Sequence, residues 1–464
     1  MSEQGKPRAT SANTNKEEVA AWIGFDWADK EHEIVEYIVA TKEMSNYKVT
    51  HSPGALHQWA LELRQRYNGA RVGVAIEQGR GPVVYALAGY DFIDVYPINP
   101  QSAANYRKTF AVSGAKSDRR DAAMLADMVL KHPEEFKPWR PDDEVVRSLR
   151  LLVEGRRKQV NQVTRLTNQL TAQLKSYYPL ALELAGELKS RQACDFLEQW
   201  PTLEKLKQAR PAQLRNFFKK HGRPREETIQ ERIQKVKDAI ALTDDPAALL
   251  AGSMMARSIA SQIRVLIEMI AEFDHKIAEL FKSHPDCSIF ESFPGAGPIL
   301  APRLLAAFGA DRDRWRSAAD IQTLSGIAPV TYQSGKSKGV KMRQACPKFM
   351  RQTFQEYAEQ SLCWSDWAKA YHNDLRQRDR DHHAAVRSLA FKWIRIMYSC
   401  WKNSTPYSDP MYIKALERRG SPVLGHIQTV REKREQHARN RTKKSASTAA
   451  GDAIQTSKIL AQPA

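Results

Sequence analysis

The chain has 464 residues, more than one hydrophobic core usually organises, so two or three domains of roughly 100–200 residues are expected. Lys and Arg number 71 against 53 Asp and Glu, and the resulting formal charge of +18 favours polyanions through counterion release, with nucleic acid the natural partner. No apolar run approaches the roughly 18–20 residues of a spanning helix, which argues against a membrane protein.

In chain order, Met1 to Asn15 is polar and lacks the apolar centre of a signal peptide, so residues 1–20 are expected to be disordered and the protein cytoplasmic. From Ala21 to about Pro138, β-rich runs alternate with helical ones, giving an α/β domain over 21–140. Trp22-Ile23-Gly24-Phe25-Asp26 reads as a strand, Glu33 to Ala40 as its antiparallel return, and Arg71 to Glu77 and Phe92 to Pro97 as further strands. Ser52 to Tyr67 is a helix with Ser52 as N-cap and Pro53 in the first turn, and Ser117 caps another that runs through Met128.

Beyond Pro141 long helices take over. Val163, Leu166, Leu170, Leu174 and Tyr177 recur at spacings near three and four, and Ile259, Ile263, Leu266, Ile270, Phe273, Ile277 and Leu280 alternate four and three as a coiled-coil seam. The two segments are expected to pair in a helical domain over 141–288, and the seam is a candidate for carrying self-assembly. Between them Glu183 to Leu250 is charged and helix-friendly, broken by Pro201, Pro211, Pro224 and Pro246. A mainly α-helical third domain spans 289–409, and the basic, polar 410–464 is expected to be a disordered tail. The five cysteines (Cys194, Cys287, Cys346, Cys363, Cys400) are scattered without a C-x-x-C pair and read as reduced and structural.

Two constellations carry chemistry. The first is Asp26 and Glu77, each closing an apolar strand where an unpaired carboxylate is costly to bury, with Asp118 and Asp121 three apart on one helix face. Clustered carboxylates suit Mg²⁺, and a pair of such ions about 4 Å apart stabilises both oxygens of a phosphodiester displacement. A helix N-terminus also attracts Asp118 and Asp121 through its dipole alone. Asn99, Lys116 and Asp127 lie near these motifs. The second constellation begins at Phe293-Pro294-Gly295-Ala296-Gly297, which resembles a helix-hairpin-helix turn; Gly295 and Gly297 permit the tight turn, and its exposed N–H groups suit a phosphate. Then come Gly326-Ile327-Ala328-Pro329 and Gln333-Ser334-Gly335-Lys336-Ser337-Lys338-Gly339, followed by Lys341 and Arg343. A serine hydroxyl held in line and flanked by cations can attack a phosphodiester, although Ser-Gly-Lys is also a common solvent-facing turn. Downstream, Trp364, Trp367, Tyr371, Phe391, Trp393 and Tyr398 could stack on bases but are expected mainly in a core, and His382 and His383 are expected in a solvated or backbone-contacting segment.

Gly24-Phe25-Asp26-Trp27-Ala28, Ala75-Ile76-Glu77 and Lys116-Ser117-Asp118-Arg119-Arg120-Asp121-Ala122 resemble the Asp-Glu-Asp-Asp set of the RuvC-like domain in bridge-RNA-guided insertion-sequence transposases. The order of the glycine turn, Ala328-Pro329 and Ser334-Gly335 resembles that family's second, serine-bearing domain. The resemblance implies an RNase H-like fold for 21–140 and Mg²⁺ held by Asp26, Glu77, Asp118 and Asp121. It also implies a phosphoserine link formed by Ser334, with Ser325 and then Ser337 as the next choices. Nucleic-acid contacts are expected from Gly295, Gly297, Gly335, Lys336, Lys338, Lys341 and Arg343. Implied partners are target and donor DNA, a structured guide RNA, and further copies of the chain as a dimer joining into a tetramer. One stretch departs from the family: its Ser/Thr-Lys-x-Gly-Asn is replaced here by Lys341-Met342-Arg343-Gln344-Ala345-Cys346-Pro347. The competing readings are a junction-resolvase-like nuclease in which the carboxylates do all the chemistry, and a non-enzymatic RNA-binding coiled-coil protein.

Overall fold

The computed structural model describes residues 19–77, 81–110, 117–222, 224–335, 337–436 and 439. The chain divides into two compact units, Met1–Pro141 and Asp142–Ala464. The first carries β1 (Ala21–Asp26), β2 (Glu31–Ile38), β3 (Met44–Thr50), α1 (Pro53–Arg66), β4 (Val72–Ile76), α2 (Pro82–Leu87), β5 (Ile93–Pro97), α3 (Pro100–Phe110) and α4 (Asp118–Lys131). The strands form one sheet in the order β3-β2-β1-β4-β5. β2 is antiparallel to β1 and β3, whereas β4 is parallel to β1 and β5.

Central strands covered on both faces need continuous apolar runs, which is what β1 and β4 supply. One face buries Ile23, Phe25, Val74 and Ile76 under Trp59 and Leu63 of α1 and Val83 and Leu87 of α2. The other buries Trp22, Ala75 and Tyr96 under Met124, Leu125 and Met128 of α4. The expected strands and α1 are present, and Ser52 Oγ accepts from the Ala55 N–H at 3.2 Å. Ser117 occupies the N-cap position of α4 with extended backbone but makes no side-chain cap. β3 departs from expectation: its polar, mostly exposed sequence shows no strand periodicity, and the ladder to β2 is what makes it a strand.

Among its described residues the second unit is helical apart from one hairpin. Its long α5 (Glu144–Tyr177) is followed by α6 (Ala181–Leu184), α7 (Arg191–Gln199), α8 (Leu203–Lys207), α9 (Pro211–Gly222) and α10 (Glu226–Asp238), then by the long α11 (Pro246–Ser283). α5 and α11 pair antiparallel: a Cβ on Gly155 would lie 3.0 Å from Phe273, and one on Gly252 would lie 2.7 Å from Tyr177. The pairing of the two long segments is therefore observed, and part of the Ile259–Leu280 seam is taken up within the chain. Ile259, Ile263 and Ile277 are buried within the chain's own cores, so their apolar surface is already satisfied. The short helices α6–α10 close a core with one end of that pair, through Phe196, Trp200, Phe217 and Phe218.

The remaining elements are α12 (Cys287–Glu291), α13 (Gly297–Phe308), α14 (Ala318–Leu324), β6 (Val330–Ser334), β7 (Ser337–Lys341), α15 (Lys348–Trp364), α16 (Asp366–Gln377), α17 (His382–Lys402) and α18 (Asp409–Arg418). They surround a core built from Phe293, Phe308, Phe354, Tyr357, Trp367, Trp393 and Trp401. Most of the aromatics are thus core, as expected; Trp364 is 63% exposed. The expectation of a disordered tail from 410 is corrected up to 436. α18 and residues 423–436 are helical, Val423, Ile427 and Val430 join the core, and Arg434 Nη1 lies 2.6 Å from Asp366 Oδ1. The rest of the basic tail, apart from Arg439, and residues 1–18 lie outside the described residues.

Candidate active site

Asp26 and Glu77 stand at the C-terminal edge of the parallel strands. β1 and β4 run in register from Ala21 against Val72 to Phe25 against Ile76, so Asp26 and Glu77 leave neighbouring strands at equivalent positions. Side chains alternate along a strand, placing Asp26 with Trp22 and Gly24, and Glu77 with Gly73 and Ala75, on the α4 face of the sheet. α4 is held against β1 by a backbone contact that only glycine permits. A Cβ on Gly24 would lie 1.7 Å from the Ala122 carbonyl oxygen and 2.9 Å from the Ala126 nitrogen. That contact, made two residues before Asp26 and one after Asp121, brings the first turn of α4 to the strand end.

Asp118 and Asp121 both lie in that first turn, but Asp118 is exposed and Asp121 is buried. Arg107 of α3 supplies the charge that Asp121 needs, with Nε 2.8 Å from Asp121 Oδ1, and its Nη2 is 3.9 Å from Glu77 Oε2. One guanidinium therefore sits between two of the carboxylates. Nothing in the sequence separates Arg107 from the many other basic residues, and it was not anticipated. Two neighbours of the motif are structural: Asn99 Oδ1 accepts from the Gln101 N–H at the start of α3, and Asp127 accepts from the Tyr106 hydroxyl at 2.7 Å and pairs with Lys131. Burial, followed by that hydrogen bond to Asp127, pushes the Tyr106 phenol up to about 12. Lys116 lies outside the described residues.

The turn after Asp26 is fixed by a buried histidine. His32 Nδ1 accepts from the Ala28 N–H at 3.2 Å, which leaves Nε2 as the protonated nitrogen facing His51 Nδ1 at 3.0 Å. Burial, reinforced by His51, lowers His32 to about 4, so the ring is neutral near pH 7.

All four carboxylates are hard oxygen donors, which suits a divalent cation, and Arg107 shows that positive charge is accommodated between Glu77 and Asp121. Among the described residues no three His, Cys, Asp or Glu side chains stand close enough together to hold an ion in the present arrangement.

In the second unit, Gly295 and Gly297 turn the chain between α12 and α13 with φ of +79° and +52°. Ser334 ends β6, opposite Ser337, and Gly335 follows with φ +55° at the tip of an exposed hairpin. Ser325 is fully buried and its Oγ donates to the Gln322 carbonyl at 3.2 Å, a structural position that removes it as an accessible nucleophile. Lys341 Nζ lies 4.6 Å from the centre of the Tyr332 ring, on the same hairpin. The Arg343 carbonyl accepts from Arg351, so the backbone after the hairpin is tied to α15. Lys336 and the side chain of Lys338 lie outside the described residues. His382 Nδ1 is 3.2 Å from His372 Nε2, and its Nε2 is 3.4 Å from Glu359 Oε1; His382 thus contacts side chains where a solvated or backbone-contacting segment was expected.

Comparison with known proteins places these two constellations in one family. Residues 23–179 match a transposase domain of the DEDD, IS110 type, a domain class that points to divalent metal use, and residues 287–373 match the transposase IS116/IS110/IS902 family. A mini-circle protein of Streptomyces coelicolor, named for transposition of IS117, is 27% identical over 402 residues, 85% of this chain and 97% of that protein. A 42 kDa protein of insertion element IS900 from Mycobacterium paratuberculosis is 25% identical over 83% of this chain and 96% of its own length. Among the described residues no helix is long and apolar enough to cross a membrane. With both of its constellations inside matched domains of one family, the chain belongs to the IS110/IS116 family of transposases, enzymes that cut and rejoin DNA.

Proposed function

We propose that this transposase is an RNA-guided recombinase in which Asp26, Glu77, Asp118 and Asp121 hold Mg²⁺ within an RNase H-like domain and Ser334 is the nucleophile. The first half is supported by the Arg107 guanidinium standing between Glu77 and Asp121, and by the Gly24 contact that brings the first turn of α4 against the strand ending in Asp26. Bound Mg²⁺ supplies positive charge to the oxygens of the scissile phosphate. Ser334 Oγ bonds to phosphorus as the bond to the 3′ oxygen breaks, the serine proton passing to that oxygen, which leaves a 5′-phosphoserine and a 3′-OH. A second 3′-OH then attacks the phosphoserine and releases the serine, so the strand is rejoined without a high-energy cofactor. The exposed hairpin tip supports the choice of Ser334 over Ser325, because an accessible hydroxyl is required. Lys341, Arg343 and the backbone of Gly295, Gly297 and Gly335 are the proposed contacts to phosphates, joined by Lys336 and Lys338. The +18 charge suits a chain that holds a structured guide RNA as well as target and donor DNA, and assembly of dimers into a tetramer follows the family resemblance.

The test is denaturing electrophoresis of the purified protein with Mg²⁺, its co-purified RNA and labelled DNA carrying the element junction. A protein–DNA adduct seen in the wild type and absent from Ser334→Ala and Asp26→Ala supports the composite mechanism. Cleavage without an adduct that persists in Ser334→Ala replaces it with a carboxylate-only nuclease, and RNA binding without cleavage in the wild type sinks both.

A further inference from the structure

Beside the Gly295–Gly297 turn lies an open cavity of about 860 Å³, lined by the turn itself and by Glu291, Arg303, Glu356, Glu359, Gln360 and Trp364. Trp364 is the last residue of α15, off the stripe of Phe354, Tyr357, Ala358 and Leu362 that the helix buries. Its ring lies against Gly295: a Cβ there would be 2.6 Å from Trp364 Cδ1. The backbone beneath it is rigid, because the Ser365 N–H bonds to the Ser361 carbonyl at 2.9 Å and Ser365 caps the next helix. A large aromatic surface is therefore held in place, 63% exposed, at the side of a cavity.

The charges around the cavity say what it suits. Its cation, Arg303, is committed to Glu356 at 2.5 Å and to Thr353 at 3.2 Å, and the second Glu356 oxygen is taken by Arg157 at 2.9 Å. The remaining charged lining is Glu291 and Glu359, which repel a phosphate and attract amino groups; Glu359 Oε1 lies 3.4 Å from His382 Nε2, and a carboxylate has lone pairs for a further donor. Next to it α13 begins at Gly297 with no side-chain cap, so the phosphate position belongs to the helix start and the cavity to something planar that carries N–H donors.

We propose that this cavity takes a single unstacked nucleobase, with the Trp364 indole as its stacking face and Glu359 as an acceptor for its amino group. The inference rests on the chain being a nucleic-acid enzyme, but not on the role of Ser334. DNA and RNA both carry such bases, and the test separates them.

Full-length protein is titrated into two probes, a DNA duplex and an RNA duplex each bearing one unpaired 2-aminopurine, whose emission falls on stacking. Wild type and Ser334→Ala should quench at least one probe equally, the responsive probe identifying the strand type. Trp364→Leu should lose the quenching and bind on the order of tenfold more weakly, while Trp364→Tyr, which keeps an aromatic face, should retain both. Equal quenching by Trp364→Leu and wild type overturns the proposal, as does Trp364→Tyr behaving like Trp364→Leu or a wild type that quenches neither probe. A covalent adduct lost on Ser334→Ala, together with any of those results, sinks the base pocket alone; normal Trp364-dependent quenching without an adduct sinks the serine mechanism alone.

Discussion

At the scale of single residues, two contacts set how α3 and α4 approach the strand-end carboxylates. Gly24→Ala forces a methyl into the Ala122 carbonyl, and overpacking of this kind should destabilise the first unit by about 3 kcal/mol, read as a lowered denaturation midpoint. Arg107→Gln leaves Asp121 buried beside Glu77 without its cation, so stability should fall by about 1–3 kcal/mol in EDTA and recover in part when millimolar Mg²⁺ is added; no recovery would count against a cation between these carboxylates. His32 adds a pH dependence with a definite sign. Its folded value, about 4, lies below the ordinary 6.5, so the unfolded chain takes up the proton first as pH falls. The contribution is complete above about pH 6.5 and is lost between there and pH 4, about 2 kcal/mol by pH 4.5. Comparing wild type with His32→Gln in urea at pH 7.5 and pH 4.5 should show the steeper loss in the wild type. Asp26 and Glu77 were legible because each ends an apolar run. The guanidinium that joins Glu77 to Asp121 was not, since a basic residue on a helix has no sequence mark of the carboxylate it will face.

At the scale of elements, periodicity was informative where one face of an element is buried and silent where none is. The heptad-like spacing of Ile259 to Leu280 announced a long helix with an apolar seam, and α5 and α11 are that pair. Periodicity could not say whether the seam meets the same chain or another, because the side chains required are the same. An Asp at Ile263, which is fully buried, should therefore disrupt the fold of a single chain rather than only its assembly. Loss of a cooperative unfolding transition would show this, and a well-folded monomer would contradict it. β3 and the β6–β7 hairpin escaped sequence reading for the opposite reason. Their residues are mostly exposed, so no alternation was selected, and pairing to a neighbour defines them.

At the scale of the whole molecule, the excess of 18 positive charges should make nucleic-acid binding strongly salt-dependent. Raising salt from 50 to 200 mM should weaken binding about a thousandfold if six or so phosphates are contacted, measured by fluorescence anisotropy; a flat response would argue against electrostatic capture. Composition, apolar runs and helical periodicity by themselves determined a basic chain with an α/β first unit, long paired helices and carboxylates at strand ends, because those features follow from local chemistry and repeat spacing. The tertiary structure alone decided which residues meet. It made Arg107 the partner of Asp121, turned part of the coiled-coil seam inward, buried Ser325 while leaving Ser334 exposed, and held Trp364 over a glycine turn. Such outcomes depend on contacts between residues far apart in the chain, and the spacing along a sequence carries no record of them.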